Sequence, residues 1–233
     1  MDFLISPLGW KNWLLLIAAL INLGMAIFIF SRGIKNKVNL YFSLLTFFCF
    51  TWAIGLCFAR WTTDLFWTSI FARSTYISAL CIALSLFYFA LTFPFPSKGV
   101  GKKLTFLVWL FFIFLSFLTY TKWFITSFIS AYSAGEYISF FYLPGYIAYF
   151  IYFGLIAIFA LSNLFKKYKI LEGAARKNLL LLFFTILIGL IFGTYFDLFL
   201  LIFQDFRFNW FGPVFTIFMN SLVFYLLIFS KEK

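Results

Sequence analysis

Two charged residues lie inside long apolar runs, where they are the side chains best placed to do chemistry. Arg73 stands about eight residues into the run 65–93, and Asp197 about four residues before the end of the run 179–201. In membrane-spanning helices, these positions lie roughly 12 and 6 Å from the same membrane face. An ion in hydrocarbon is costly and usually pairs with an opposite charge. The sequence therefore predicts an Arg73–Asp197 ion pair, direct or through water, that faces the interior of a helical bundle.

This pair has two interpretations. It either fixes how two helices dock, since polar contacts between membrane helices are modest but specific, or acts as a switch that responds to protonation or a ligand. Gly189 and Gly193 precede Asp197 at four-residue steps and share its helix face, which indicates close approach of another helix. Asn22 and Asn220 each stand midway through an apolar run. We expect them to form hydrogen bonds between helices.

Few other residues in the sequence could support catalysis or bind a cofactor. The sequence contains no histidine, which excludes imidazole ligation of haem or metals, a Ser-His triad and a phosphoacceptor histidine within it. Cys49, Cys57 and Cys81 lack a C-x-x-C spacing and are interpreted as packing residues. No glycine-rich phosphate loop is visible. We expect no cofactor, no metal site and no enzymatic activity.

The apolar runs predict the fold. Hydrophobic residues make up 65% of the chain and charged residues 11%, far from the composition of soluble domains. A helix of about 20 apolar residues crosses a bilayer, and backbone groups in lipid must bond within their own segment. The prediction is an all-α, polytopic membrane protein, with residues 1–233 forming a single domain, a seven-transmembrane helix bundle. The predicted spans are approximately 13–30, 38–59, 65–93, 104–120, 146–165, 179–201 and 212–229.

The positive charges predict the orientation. Thirteen of the eighteen Lys and Arg residues fall in alternate gaps between the runs or at the C-terminus. By the positive-inside rule, this side is cytoplasmic and the N-terminus lies outside. Membrane topology explains these positive charges, and they do not indicate a basic surface on a folded domain. Nucleic acid is therefore not an expected partner. The thirteen residues are Arg32, Lys35, Lys37, Lys98, Lys102, Lys103, Lys166, Lys167, Lys169, Arg176, Lys177, Lys231 and Lys233.

Two connectors are candidates for contacts outside the bundle. The longest connector on the outer side, residues 121–145, is rich in aromatic and small residues. We expect it to form a short interfacial helix that caps the bundle, with a ligand-binding lid as the alternative. The connector between the fifth and sixth runs is strongly basic and is predicted to contact a cytoplasmic partner or anionic lipid. Its basic residues are Lys166, Lys167, Lys169, Arg176 and Lys177.

Several local patterns carry a family resemblance that covers roughly residues 39–229. They are Trp52 late in the second run, Arg73-Ser-Thr-Tyr76, the stretch 87–94 at the end of the third run, Ala175-Arg176-Lys177 and Gly212-Pro213. In these patterns the chain resembles the N-terminal seven-transmembrane region of bacterial sensor histidine kinases. The resemblance implies a sensory input whose last helix passes a conformational signal to a cytoplasmic output module.

The resulting hypothesis is a noncatalytic sensory module in the cytoplasmic (inner) membrane. Only four residues follow residue 229, so kinase activity is not carried over. The chain is expected to be either a stand-alone sensor that acts on a separate signalling protein or a truncated or split relative of a kinase. The expected partners are the lipid bilayer, that cytoplasmic protein, for example a kinase, and a small ligand on the outer half. The alternative is a small membrane transporter or an accessory subunit of a membrane complex.

Overall fold

The computed structural model describes residues 9–97, 100–131, 136–203 and 205–229. Of the basic residues that predict the orientation, Lys98, Lys231 and Lys233 lie outside the described residues. Within the described ranges, seven helical segments are long and apolar enough to cross a membrane. The chain is therefore a multi-pass membrane protein with the predicted number of spans.

Each predicted span overlaps one helical segment. The sixth span, Gly173–Ile202, contains a π-helical turn at Tyr195–Phe199 that divides it into a long and a short helix. The helices are α1 (Trp10–Ser31), α2 (Lys37–Trp61), α3 (Leu65–Thr92), α4 (Lys102–Thr119), α5 (Leu143–Ile170), α6 (Gly173–Thr194), α7 (Leu200–Ile202) and α8 (Phe211–Phe229).

Polar side chains and proline define where several helices begin. Asn36 accepts a hydrogen bond from the backbone N–H of Val38 at the start of α2. The carboxylate of Asp64 accepts from the first backbone N–H groups of α3. These side chains satisfy N–H groups that have no partner within the helix. Pro144 occupies the first turn of α5, where its missing N–H costs nothing.

Six of the seven spans form a ring. In order, α1, α2, α3, α5, the sixth span and α8 each pack against the next, and α8 packs back against α1. The fourth span, α4, lies outside this ring against α3 and α5. Its outward side chains remain uncovered by protein, as shown by Phe117, which is 74% exposed. Such a surface is suited to lipid, because the bilayer itself covers it.

The connector predicted to be an interfacial helix is instead a β-hairpin. Strands β1 (Ile125–Ala131) and β2 (Glu136–Phe141) pair antiparallel, with Phe128 opposite Ser139. The strands are rich in β-branched and aromatic residues, which favour a pleated surface over a helix. The hairpin packs against α2 and α3.

The two ends of the bundle differ in what they carry. Because consecutive spans alternate in direction, the hairpin, the α2–α3 connection and the start of α8 lie at one end, called here the hairpin end. The connections that follow α1, α3 and α5 lie at the other end, called the basic end. Exposed basic side chains at the basic end include Lys35, Lys37, Lys102 and Lys103.

Candidate functional site

A cavity lies inside the ring, between α2, α3, the sixth span and α8. It contains about 870 Å³ of space free of atoms, the open part included. Most of its wall is apolar, with Trp52 of α2 and Tyr76 of α3 as aromatic members. The polar side chains in the wall include Asp197 of the π-helical turn and Asn209, which precedes α8. A largely apolar pocket with a few polar groups is the usual form of a small-molecule site.

Asp197 is the unusual member of this wall. Its side chain is 8% exposed, and its Oδ2 atom accepts no hydrogen bond from any residue that the structure describes. The carboxyl group lies directly against Gly212 in the first turn of α8, so close that a Cβ atom at Gly212 would overlap Oδ2. A buried polar atom without a partner is costly in an ordinary core. Asp197 therefore stands out as the candidate functional group.

The π-helical turn determines where the Asp197 carboxyl points. Here the N–H of Leu200 bonds to the carbonyl of Tyr195, five residues earlier, so the turn holds one residue more than an α-helical turn. The hydroxyl of Tyr146 on α5 donates to the carbonyl of Leu198 at 2.9 Å and anchors the turn. Turns of this kind occur frequently at functional sites.

The two glycines that precede Asp197 also line the cavity. At Gly189, an added Cβ would stand 3.0 Å from the sulfur of Met219 on α8. At Gly193, an added Cβ would stand 3.9 Å from the Trp52 ring. The close neighbour at Gly189 is therefore α8, while the surface at Gly193 faces the indole across the cavity.

Arg73 and Asp197 form no direct salt bridge among the described residues, and the water-mediated form of the pair stays a prediction. The guanidinium instead lies over the ring of Phe128 in the hairpin. It donates hydrogen bonds to three backbone carbonyls, those of Thr119, Thr121 and Ile125. Carbonyls at the C-terminal end of a helix lack partners within the helix and carry partial negative charge. Carbonyls at the end of α4 and the start of β1 therefore accept the hydrogen bonds of the Arg73 guanidinium, and no carboxylate is needed.

A comparison with protein families agrees with this architecture. A family model described as the N-terminal 7TM region of histidine kinase matches residues 14–232. The chain belongs to this family. Membership indicates a sensory input region, and the family is a sensor region that is not itself catalytic. A comparison with curated proteins finds no match.

Within this 7TM region, a polar cluster joins α1 to α8. The amide nitrogen of Asn220 donates to the carbonyl oxygen of the Asn22 side chain at 2.7 Å. Asn22 in turn donates to the hydroxyl of Thr216 at 3.0 Å and to the carbonyl of Ala18 at 2.9 Å. Both asparagine side chains are fully buried. The cluster links the first and last spans near mid-membrane, and Thr216 also lines the cavity.

Arg60 is a functional candidate that the sequence reading missed. It stands at the end of α2 and is 4% exposed. Its guanidinium donates to the side-chain oxygens of Asn209 at 2.7 Å and Asn12 at 3.2 Å. A sequence signal existed, because Arg60 follows the buried residues Ala53 and Leu56 at helical spacing. Through Asn209, Arg60 reaches the wall of the cavity.

Lys167 was predicted to contact a partner or lipid, and this is wrong. Its side chain is 3% exposed, and its ammonium donates hydrogen bonds to the carbonyls of Ala90, Leu91 and Phe93 at the end of α3. A cation at a helix C-terminus is favoured by the carbonyls and the helix dipole. The other four basic residues of the predicted contact are exposed and remain available: Lys166, Lys169, Arg176 and Lys177.

Proposed function

We propose that the chain is a noncatalytic sensory input module of the cytoplasmic membrane, with its N-terminus outside. The observation that carries this proposal is the Asp197 carboxyl, buried in a cavity and in direct contact with the first turn of α8 at Gly212. Whatever occupies the cavity acts on this contact. The orientation follows from the positive charge of the basic end, which the positive-inside rule assigns to the cytoplasm.

The last span is the element suited to carry the signal. It begins at the Asp197 contact, continues through the polar contact between Asn220 and Asn22, and ends at the basic end. A displacement of its first turn has to be accommodated along the helix, because packed helices shift as units. An input that favours one position of α8 would then change the surface presented at the basic end.

The exposed basic residues at the α5–α6 connection are the proposed contact for a cytoplasmic kinase or another signalling protein. Four cations in one short segment complement an acidic surface, and they also attract anionic lipid headgroups. Lys166, Lys169, Arg176 and Lys177 are exposed at this connection. Lys167 is not part of this surface, since its ammonium donates hydrogen bonds to carbonyls at the end of α3.

Site-specific crosslinking in native membranes tests this function. A photo-crosslinking residue at Arg176 is expected to capture a kinase or another signalling protein. The same residue at Phe117, an outward position on α4 that is 74% exposed, is the matched control and should not capture that protein. Substrate flux through reconstituted vesicles that is lost in Asp197→Asn would contradict the proposal and favour a transporter.

A further inference from the structure

We propose that the cavity binds a small organic cation, an amine that donates an N–H hydrogen bond to Oδ2 of Asp197. Its apolar part would lie against the aromatic and aliphatic wall. This inference names the ligand class for the sensory function proposed above and rests on it for its biological meaning. Binding itself does not require any signalling partner, so the two are tested separately.

The positive charge of the ligand follows from the state of the Asp197 side chain. Its Oδ2 atom lacks a partner within the described part of the chain, although the side chain is more than nine-tenths buried. A buried carboxylate is stabilised by a cationic hydrogen-bond donor. The arginines of α2 and α3 have other partners, because Arg73 binds backbone carbonyls and Arg60 binds Asn12 and Asn209. An incoming N–H donor would supply the missing partner.

The organic character of the ligand follows from the rest of the wall. Trp52 and Tyr76 line the cavity, and aromatic rings attract cations. Aliphatic side chains such as Leu56, Ala79 and Leu201 supply most of the remaining surface. A divalent metal ion is disfavoured, since Mg²⁺ and Ca²⁺ take about six or more oxygen ligands. The described residues contain no group of three acidic, cysteine or histidine side chains that could hold such an ion.

The position of the site gives ligand binding a route to α8. The carboxyl that would bind the amine is the same carboxyl that touches Gly212 in the first turn of α8. Hydrogen bonding to the amine fixes the carboxyl orientation and adds ligand volume beside this turn. Met219, about two helical turns further along α8, also lines the cavity. A bound amine would therefore contact α8 at two levels.

The experiment uses the full chain in lipid nanodiscs and measures binding by isothermal titration calorimetry. The probes are phenethylamine, tryptamine and methylammonium, with 2-phenylethanol as the neutral counterpart of phenethylamine. Empty nanodiscs correct for partition of the probes into lipid. We expect saturable one-to-one binding of at least one aromatic amine. Its neutral counterpart should bind at least about tenfold more weakly, the loss expected when a charge-assisted hydrogen bond is missing.

Two variants assign the binding to the cavity. Asp197→Asn should weaken amine binding at least about tenfold, whereas Asp205→Asn, which alters a partly buried acid at the same end that is paired with Arg207, should leave it unchanged. Trp52→Leu, which keeps the carboxyl and removes the ring, should also weaken binding. Equal binding by wild type and Asp197→Asn, or no saturable amine binding by wild type, would overturn the inference.

The position of α8, measured in nanodiscs with and without the amine, separates this inference from the proposed function. Amine binding that leaves α8 unmoved supports the site and contradicts the sensory role of the cavity. Movement of α8 in Asp197→Asn, in a chain whose wild type binds no amine, supports the sensory role and overturns the ligand class.

Discussion

The contact between Asn22 and Asn220 gives a quantitative prediction about how α1 and α8 are held together. The perturbations are Asn22→Leu, Asn220→Leu and the double variant, which replace buried amides by apolar side chains of similar size. Asn22→Leu removes the acceptor for Asn220 and the donor to Thr216 and Ala18. Asn220→Leu removes the bond to Asn22, together with an amide oxygen that lacks a partner among the described residues. The first variant should therefore be the more destabilising.

The magnitudes follow from these contacts. An amide left without its partner in an apolar environment costs about 1–3 kcal/mol. Hydrogen bonds between membrane helices average about 0.6 kcal/mol and reach about 1.7 kcal/mol in double-mutant cycles. We expect about 2 kcal/mol of destabilisation for Asn22→Leu and about 1 kcal/mol for Asn220→Leu. The double variant should lose about 1 kcal/mol less than the sum, because each single change leaves one partner stranded.

Reversible unfolding in bicelles, followed by steric trapping, measures these free energies. Ser221→Leu, which alters an exposed side chain beside Asn220 on α8, is the matched control and should change stability by less than about 0.5 kcal/mol. Strict additivity of the two asparagine substitutions, or a larger effect of Asn220→Leu than of Asn22→Leu, would refute the reasoning.

Three further predictions concern single residues. Gly212→Ala should destabilise the bundle by about 1–3 kcal/mol, measured in the same unfolding assay, because the added methyl overlaps the Asp197 carboxyl; unchanged stability would contradict the contact. Arg73→Met should cost about 2 kcal/mol by leaving three carbonyls without their donor, and Arg73→Lys should cost less; equal losses in this assay would contradict the hydrogen-bonding account. The pKa of Asp205 lies below its ordinary value because Arg207 donates hydrogen bonds to it. The stabilisation is present above the ordinary carboxyl pKa and is lost as pH falls through the lowered one; carboxyl NMR titration should show Arg207→Gln raising it.

The seven-span architecture could be predicted from the sequence, because hydropathy acts through composition alone. Seven runs of sufficient length require seven helices in lipid. Helix ends were less well defined. The predicted fifth run, 146–165, falls short of α5 at both ends, since the helix includes Pro144 and continues through Lys167 into the basic connector.

The buried cations show why the site was harder to predict. Side chains of opposite charge are visible in a sequence, and they predict the Arg73–Asp197 pair. The partners that Arg73 and Lys167 bind are backbone carbonyls at helix ends, which every residue carries and no residue type marks. Lys167 did have a usable signal, since it continues the buried stripe of α5 through Ala160 and Leu164.

The environment of Asp197 depends on features without a sequence signature. The π-helical turn at Tyr195–Phe199 adds a residue to the turn and changes the direction of the carboxyl. The sequence placed Asp197 on the face of Gly189 and Gly193, and all three do line the cavity. Its contact with Gly212 joins residues from different spans. Hydropathy does not show which residues of two spans lie side by side.

The most direct test of the central claim measures whether the Asp197 cavity controls the position of α8 at the basic end. Spin labels at Lys35 and Tyr225, in a cysteine-free chain in nanodiscs, report this distance by double electron–electron resonance. Asp197→Asn is expected to shift the distance distribution, while Asp205→Asn is expected to leave it as in the unsubstituted chain. Identical distributions in all three chains would contradict the claim that the cavity is coupled to the last span.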